Sequence, residues 1–285
     1  MTAMSALQQV QDVFGASRER MAHAVEKNGV EPVLDMLESA RRDLSIELLK
    51  LAKQGKLGRF TYIMKKQAEI QINGMIKTLE KNINKHGLKN MNDMSDMAYH
   101  DTIENLSRLD KLFTGVVTPL SIEEAGYLDY IRGKTSGSLM RGFQNSVRRY
   151  GLENIGNFER IMRQGLLQKK DPFTVMHEIA GEMGGMKQSS YKAERIVRTE
   201  LVNAYNTSSA TSIKESRKSL PDLKNQWIAH IDDRTCPACR NLHLQIHNIG
   251  APFTGRIGKR IVTVSHPTIH PNCRCTIVPY RDAWR

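Results

Sequence analysis

The sequence predicts an α+β chain, mostly α-helical over its N-terminal two-thirds and closed by a small α+β domain with a β-rich end. Three observations predict it. Apolar residues recur three and four apart from Glu31 to about Tyr150, the period of a helix face. After Pro221 that period gives way to short β-like runs punctuated by glycine and proline. All four cysteines of the 285 residues fall within forty residues of this second region, as Cys236-Pro-Ala-Cys239 and His270-Pro-Asn-Cys273-Arg-Cys275.

The elements follow in order. Pro32 to Ala40 and Leu44 to Leu51 read as helix, with charged residues between the apolar ones. A second candidate runs from Phe60 through Met64, Ile72, Ile76 and Ile83 and is expected to stop near His86-Gly87, and a third spans about Ser95 to Phe113. Beyond Pro119, Ser121-Ile-Glu-Glu124 has the spacing of a reciprocal N-terminal cap. Asp171-Pro172 opens a shorter helix, with Asp as cap and Pro in the first turn, and Gly184-Gly185 closes it. Tyr191 to Ser216 is helical again, with Ile196, Val197, Leu201 and Ala204 on or near one face. The expected strands are Trp227 to Ile231, Arg260 to Val264 and Cys275 to Val278. The domain boundary is placed between Gly184 and Ser190, giving a helical region 1–186 and a C-terminal domain 187–285.

Composition narrows the classes. Hydrophobic residues make up 40%, enough for a real core. No apolar run approaches the roughly 18 residues of a membrane span, and Met1 to Asp12 lacks the basic start and apolar stretch of an export signal. The thiols are therefore expected in a reducing cytosol, where metal binding is favoured over disulfides. The formal charge is +12, and from Arg198 onward thirteen Lys/Arg face six Asp/Glu, so the cysteine-bearing end is also the basic end. Such a surface favours polyanions through counterion release.

A Cys-x-x-Cys pair reaches one ion from a tight turn, and a distant His-x-x-Cys completes a tetrahedron around zinc. The preferred ligands are Cys236, Cys239, His270 and Cys273, with Cys275 the alternative fourth. His243, His247 and His266 are spare candidates. Four protein ligands argue for a structural ion, since catalysis needs an open coordination position. Just before the first pair, Asp232-Asp233-Arg234-Thr235 reads as a turn in which Asp bonds its own backbone and Arg braces a carboxylate. On the preceding helix Arg195 and Arg198 share a face, while Glu200 lies about 200° from Arg198. One of these charges is expected to reach the β-rich knuckle, unless the group forms an exposed charged face.

Together, Arg198-Thr-Glu200 with Asn203-Ala204, then Trp227, Asp233-Arg-Thr-Cys-Pro-Ala-Cys239-Arg-Asn-Leu242 and His270-Pro-Asn-Cys-Arg-Cys275-Thr resemble the C-terminal domain of phage Mu F-like minor head proteins, also called head morphogenesis proteins. The resemblance covers about Tyr191 to Pro279. It implies a low-copy virion component of a tailed phage, associated with the portal and capsid interior and acting in head assembly, genome packaging or ejection. The implied partners are the portal protein, the major capsid or scaffold protein and packaged double-stranded DNA. The implied location is the virion, at the capsid interior or portal vertex, after assembly in the host cytoplasm. Carried over by residue, Cys236, Cys239, His270 and Cys273 match the metal positions, and Arg198, Glu200, Asp233 and Arg234 the structural motif. One departure is that no glycine follows the Cys pair until Gly250, where the family often has a Leu-x-Gly turn.

The rivals are a zinc-braced HNH-type nuclease, with His266, His270 and Asn272 as its reactive set, and a plain DNA-binding module. The first lacks a helix pattern after Cys273, and the second lacks a recognition helix beside the metal pairs. No enzymatic activity is expected.

Overall fold

The computed structural model describes residues 6–54, 60–116, 124–184 and 187–284. The helices are α1 (Ala6–Ala24), α2 (Glu31–Gln54), α3 (Tyr62–Thr114), α4 (Glu124–Leu167), α5 (Pro172–Gly184) and α6 (Lys187–Ser216). A π-helical turn, Val25–Val30, joins α1 to α2. The C-terminal part carries β1 (Lys224–Ile228), a short α7 (Pro237–Leu242), β2 (Ile246–Asn248), β3 (Phe253–Ile257), β4 (Arg260–Val264) and β5 (Thr276–Tyr280). This is the α+β class expected, helical first and β-rich last. No helix among the described residues is long and apolar enough to cross a membrane.

By packing, the chain forms two compact units. One takes Met1–Asn28, Leu88–Met140 and Arg198–Arg285, the other Gly29–Gly87 and Arg141–Val197. These units are assembled from separated segments, unlike the contiguous regions 1–186 and 187–285 drawn from the sequence, because α3, α4 and α6 each contribute to both. Periodicity reads one helix at a time and carries no information on which helix faces which.

The second unit is all helix. Leu44, Leu48 and Ala52 of α2 and Met64, Ala68, Ile72 and Ile76 of α3 repeat every four residues. They bury one stripe against Phe158, Ile161 and Met162 of α4 and Val175, Met176 and Ile179 of α5. The stop expected at His86-Gly87 does not occur, since α3 runs unbroken through both residues. Gly87 serves a close approach instead. A Cβ there would sit 2.2 Å from Cε1 of the buried Phe143 ring, so the helix spends glycine on letting α4 come near. The Asp171 cap is present as read: its carboxylate accepts from the Thr174 N–H at 2.9 Å and from the Thr174 hydroxyl, with Pro172 opening α5. The cap proposed at Ser121 lies outside the described residues, as does Gly185.

In the first unit β1 is the middle strand of an antiparallel sheet ordered β2-β1-β5. Its side chains alternate between two cores, which is why it is buried on both faces. Trp227, opposite Ile277, enters a core with Ile213, Phe253, Ile269 and the cysteines. Ile228 and Val278 enter another with Val13, Phe14, Leu106, Leu109 and Trp284. β3 and β4 pair only with each other, as a separate two-stranded ribbon. β2, β3 and the six-residue α7 are not visible in the sequence pattern, β2 and α7 because they are too short to show a period and β3 because Gly255 interrupts its alternation.

Candidate metal centre

The first thiol pair is set by α7. Cys236 caps the helix in extended conformation, Pro237 occupies its first turn, and the Cys236 Sγ accepts the Cys239 N–H at 3.3 Å. One helical turn thus places both sulfurs on the same end of α7, with Cys239 buried beside Ala238 and Leu242. The second pair comes from the loop before β5, where the Cys273 N–H donates to the His270 carbonyl at 3.2 Å and Asn272 adopts a positive φ of 59°. Asparagine tolerates that left-handed conformation, so the turn suits its sequence.

The loop brings the groups together. His270 Nε2 lies 3.1 Å from Cys236 Sγ and 3.2 Å from Cys239 Sγ, and Cys239 Sγ lies 3.8 Å from Cys273 Sγ. Two sets of donor atoms fall within 4.8 Å of one another, Cys236-Cys239-His270 and Cys239-Cys273-Cys275, and they share Cys239. No disulfide links the four cysteines. The His270 Nδ1 lies 2.8 Å from the Pro271 carbonyl, which can only accept, so the proton is on Nδ1 and the Nε2 lone pair faces the sulfurs.

These donors fit a soft divalent ion. With Zn–S bonds of about 2.3 Å the sulfur–sulfur edge of a tetrahedron is about 3.8 Å, the Cys239 to Cys273 separation. Buried thiols this close share a proton network. Cys273, accepting from Cys239 and Cys275, is held well below the usual thiol range, and Cys239, donating to it, is pushed far above. The cluster can hold a metal ion. The spare histidines stand apart from both donor sets. His243 accepts the Ala229 N–H at Nδ1, the His247 ring packs on Phe253 at 4.4 Å, and His266 points Nδ1 at the Pro267 carbonyl.

A shell of polar contacts fixes the two ligand loops. Asp232 accepts both terminal nitrogens of Arg274 at 2.6 and 2.7 Å, the Arg234 N–H at 2.9 Å and the Thr235 hydroxyl at 3.1 Å. The Arg274 guanidinium holds the Asp232 carboxyl well below the ordinary carboxylate range. This is the turn expected before Cys236, but its carboxylate is Asp232 and its bracing arginine is Arg274. Asp233 and Arg234 are exposed. The Asp232–Arg274 pair ties the approach to Cys236 to the residue between Cys273 and Cys275.

Helix α6 supports the same loop. Asn206, fully buried, donates from its amide to the Cys275 carbonyl at 3.0 Å and accepts the Ile277 N–H at 2.9 Å. About two turns earlier, the Thr199 hydroxyl accepts the Asn272 N–H at 3.0 Å. Neither charge of the Arg-Thr-Glu motif makes that contact. Arg198 instead grips Glu26 of the π-helical turn with two bonds of 2.6 and 2.9 Å. Glu200 is partly buried, and burial raises its pKa. The charges of the motif thus leave the loop to the neutral Thr199 and Asn206, which are seven residues apart and share one face of α6, a polar pair at helical spacing that was the available signal.

The model of one protein family, Phage Mu protein F like protein, matches residues 132–278. The match reaches back into α4, well before the Tyr191 start that the motifs alone suggested. No curated protein and no solved structure is significantly similar to the chain.

Proposed function

The chain belongs to the Phage Mu protein F like family, that of phage head morphogenesis proteins, and from that premise we propose a low-copy minor head protein seated at the portal vertex or capsid interior of a tailed phage. It would act in head assembly and in packaging or ejection of the genome, with the portal protein and the major capsid or scaffold protein as partners. The observation that carries this reading is the extent of the family match, which takes in most of α4, all of α5 and α6, both ligand loops and most of β5.

The metal-capable cluster is proposed as a structural zinc site, held by Cys236, Cys239, His270 and Cys273, with Cys275 the remaining thiol of the second set. Bound zinc would supply cross-linking of two loops more than thirty residues apart and charge balance for ionised thiolates. Around it the chain's own groups orient the ligands: Pro271 fixes the imidazole, Asp232 and Arg274 clamp the loops, and α6 anchors the second one. Such closure favours a staple over catalysis, so no enzymatic role is proposed.

Mass spectrometry of purified, DNA-filled particles tests the assignment. The chain should be present at a few copies per portal ring. Its absence from particles of a phage that expresses it would overturn the reading.

A further inference from the structure

The β3–β4 ribbon carries three exposed cations at its turn, Arg256 on one face, Arg260 on the other and Lys259 between the strands, and no acid among the described residues pairs with them. Phe253, Gly255, Val262 and Val264 turn toward the metal-bearing core. A Cβ on Gly255 would meet Leu242 of α7 at 3.2 Å, so the ribbon lies close against the helix that carries Cys239. At the other end Gly258, with φ of 60°, and Lys259 form a two-residue turn of the type that wants glycine first. Arg256, Lys259 and Arg260 sit on this turn and its last two rungs, all exposed.

Several other arginines and lysines of this unit are tied down. Arg274 pairs with Asp232, Arg281 with Asp110 and Asp222, Lys224 with Asp282 and Arg198 with Glu26. No carboxylate among the described residues pairs with the three tip cations, and the sequence holds no Asp or Glu between Asp233 and Asp282. Exposed cations without a carboxylate partner suit a polyanion.

We infer that the β3–β4 hairpin tip is a contact surface for the phosphates of duplex DNA. This names a surface for the proposed head protein's contact with packaged genome and rests on that reading. Two strands about 4.8 Å apart make a ribbon narrow enough for a major groove about 12 Å wide. Duplex DNA presents one negative charge per about 1.7 Å of axis, so an approaching tip meets several phosphates. The outer face offers Thr254, Ile261 and Thr263 and no aromatic ring, which disfavours the base stacking that single strands use. The contact is to backbone and is independent of base sequence.

Fluorescence anisotropy of the reduced, zinc-loaded full chain on a labelled duplex of about 20 base pairs, at several salt concentrations, tests this. Replacing three phosphate contacts, as R256Q/K259Q/R260Q, should lower the slope of log affinity against log salt by about 2.7, at about 0.9 per contact. The control K77Q/K81Q/R163Q removes the same charge from exposed helix positions of the other unit and should leave most of the slope intact. Equal losses in both variants would overturn the inference, leaving net charge alone as the cause. So would tighter binding to the single strand, or tip-dependent binding of poly-glutamate as strong as that of the duplex, which would mark an acidic protein partner. Unchanged circular dichroism and zinc content in the tip variant show that the ribbon still stands. A chain found in heads that binds no duplex sinks this inference alone, whereas a duplex-binding chain absent from heads sinks the head assignment alone.

Discussion

Replacing Asn206 with alanine should destabilise the cysteine-bearing unit more than any comparable change on α6. The side chain is fully buried and bridges α6 to β5, donating to the Cys275 carbonyl and accepting from the Ile277 N–H. Alanine leaves both backbone groups without a partner, at about 1–3 kcal/mol each, for a total of about 2–6 kcal/mol. A domain of typical stability, about 5–15 kcal/mol, would lose a large part of it. Asn206→Asp should also be costly, because it keeps the acceptor for Ile277 but sets a carboxylate against the Cys275 carbonyl. Both tryptophans, Trp227 and Trp284, are buried in this unit, so their fluorescence during urea unfolding reports on it selectively. Since Asn206 also positions Cys275, two residues beyond Cys273 and itself in the second donor set, zinc affinity measured against a chelator should fall about 10–100-fold, the usual effect of losing a group that orients ligands. A change under about 0.5 kcal/mol, the level of an ordinary surface substitution, would refute the claim that α6 anchors the ligand loop.

Two further outcomes follow from the same geometry. Asp232 has its pKa depressed on folding by Arg274, so its contribution is fully present above its unfolded value of about 4 and is lost as pH falls toward the lower folded value. The stability gap between wild type and Asp232→Asn should therefore be widest above pH about 5 and close on acidification in urea titrations; a gap that grows toward low pH would contradict the pairing. Gly87→Ala should destabilise the all-helical unit by about 1–3 kcal/mol through overpacking on Phe143, although alanine is the better helix former by about 1 kcal/mol. Thermal melts followed at 222 nm should show the loss, and shortening the ring in Phe143→Leu should relieve it.

The fold and the site were legible to different depths. Helix faces were readable because burial of one stripe imposes a local period, and Val197, Leu201 and Ala204 are indeed buried. The ligand loops were readable because chelation also imposes local spacing, two intervening residues in each pair. What was not legible depends on distant partners. Gly87 looked like a stop because glycine usually is one, and only the facing Phe143 explains it. Asp232 and Asp233 were indistinguishable until Arg274, 42 residues away, was seen to choose the first. Thr199 was hidden between two charges whose chemistry drew more notice, yet it is the hydroxyl that reaches the loop. The packing of 1–28 and 88–140 with the C-terminal segment was likewise invisible to any local pattern.

The central claim is that a metal ion held by cysteines of both loops and His270 staples the C-terminal domain. Metal analysis of the purified chain, kept reduced throughout, tests it most directly. The account predicts about one equivalent of zinc per chain in the wild type, and its loss in Cys239→Ser, the residue common to both donor sets. Less than about half an equivalent in reduced wild-type protein, or full zinc retained by Cys239→Ser, would contradict it.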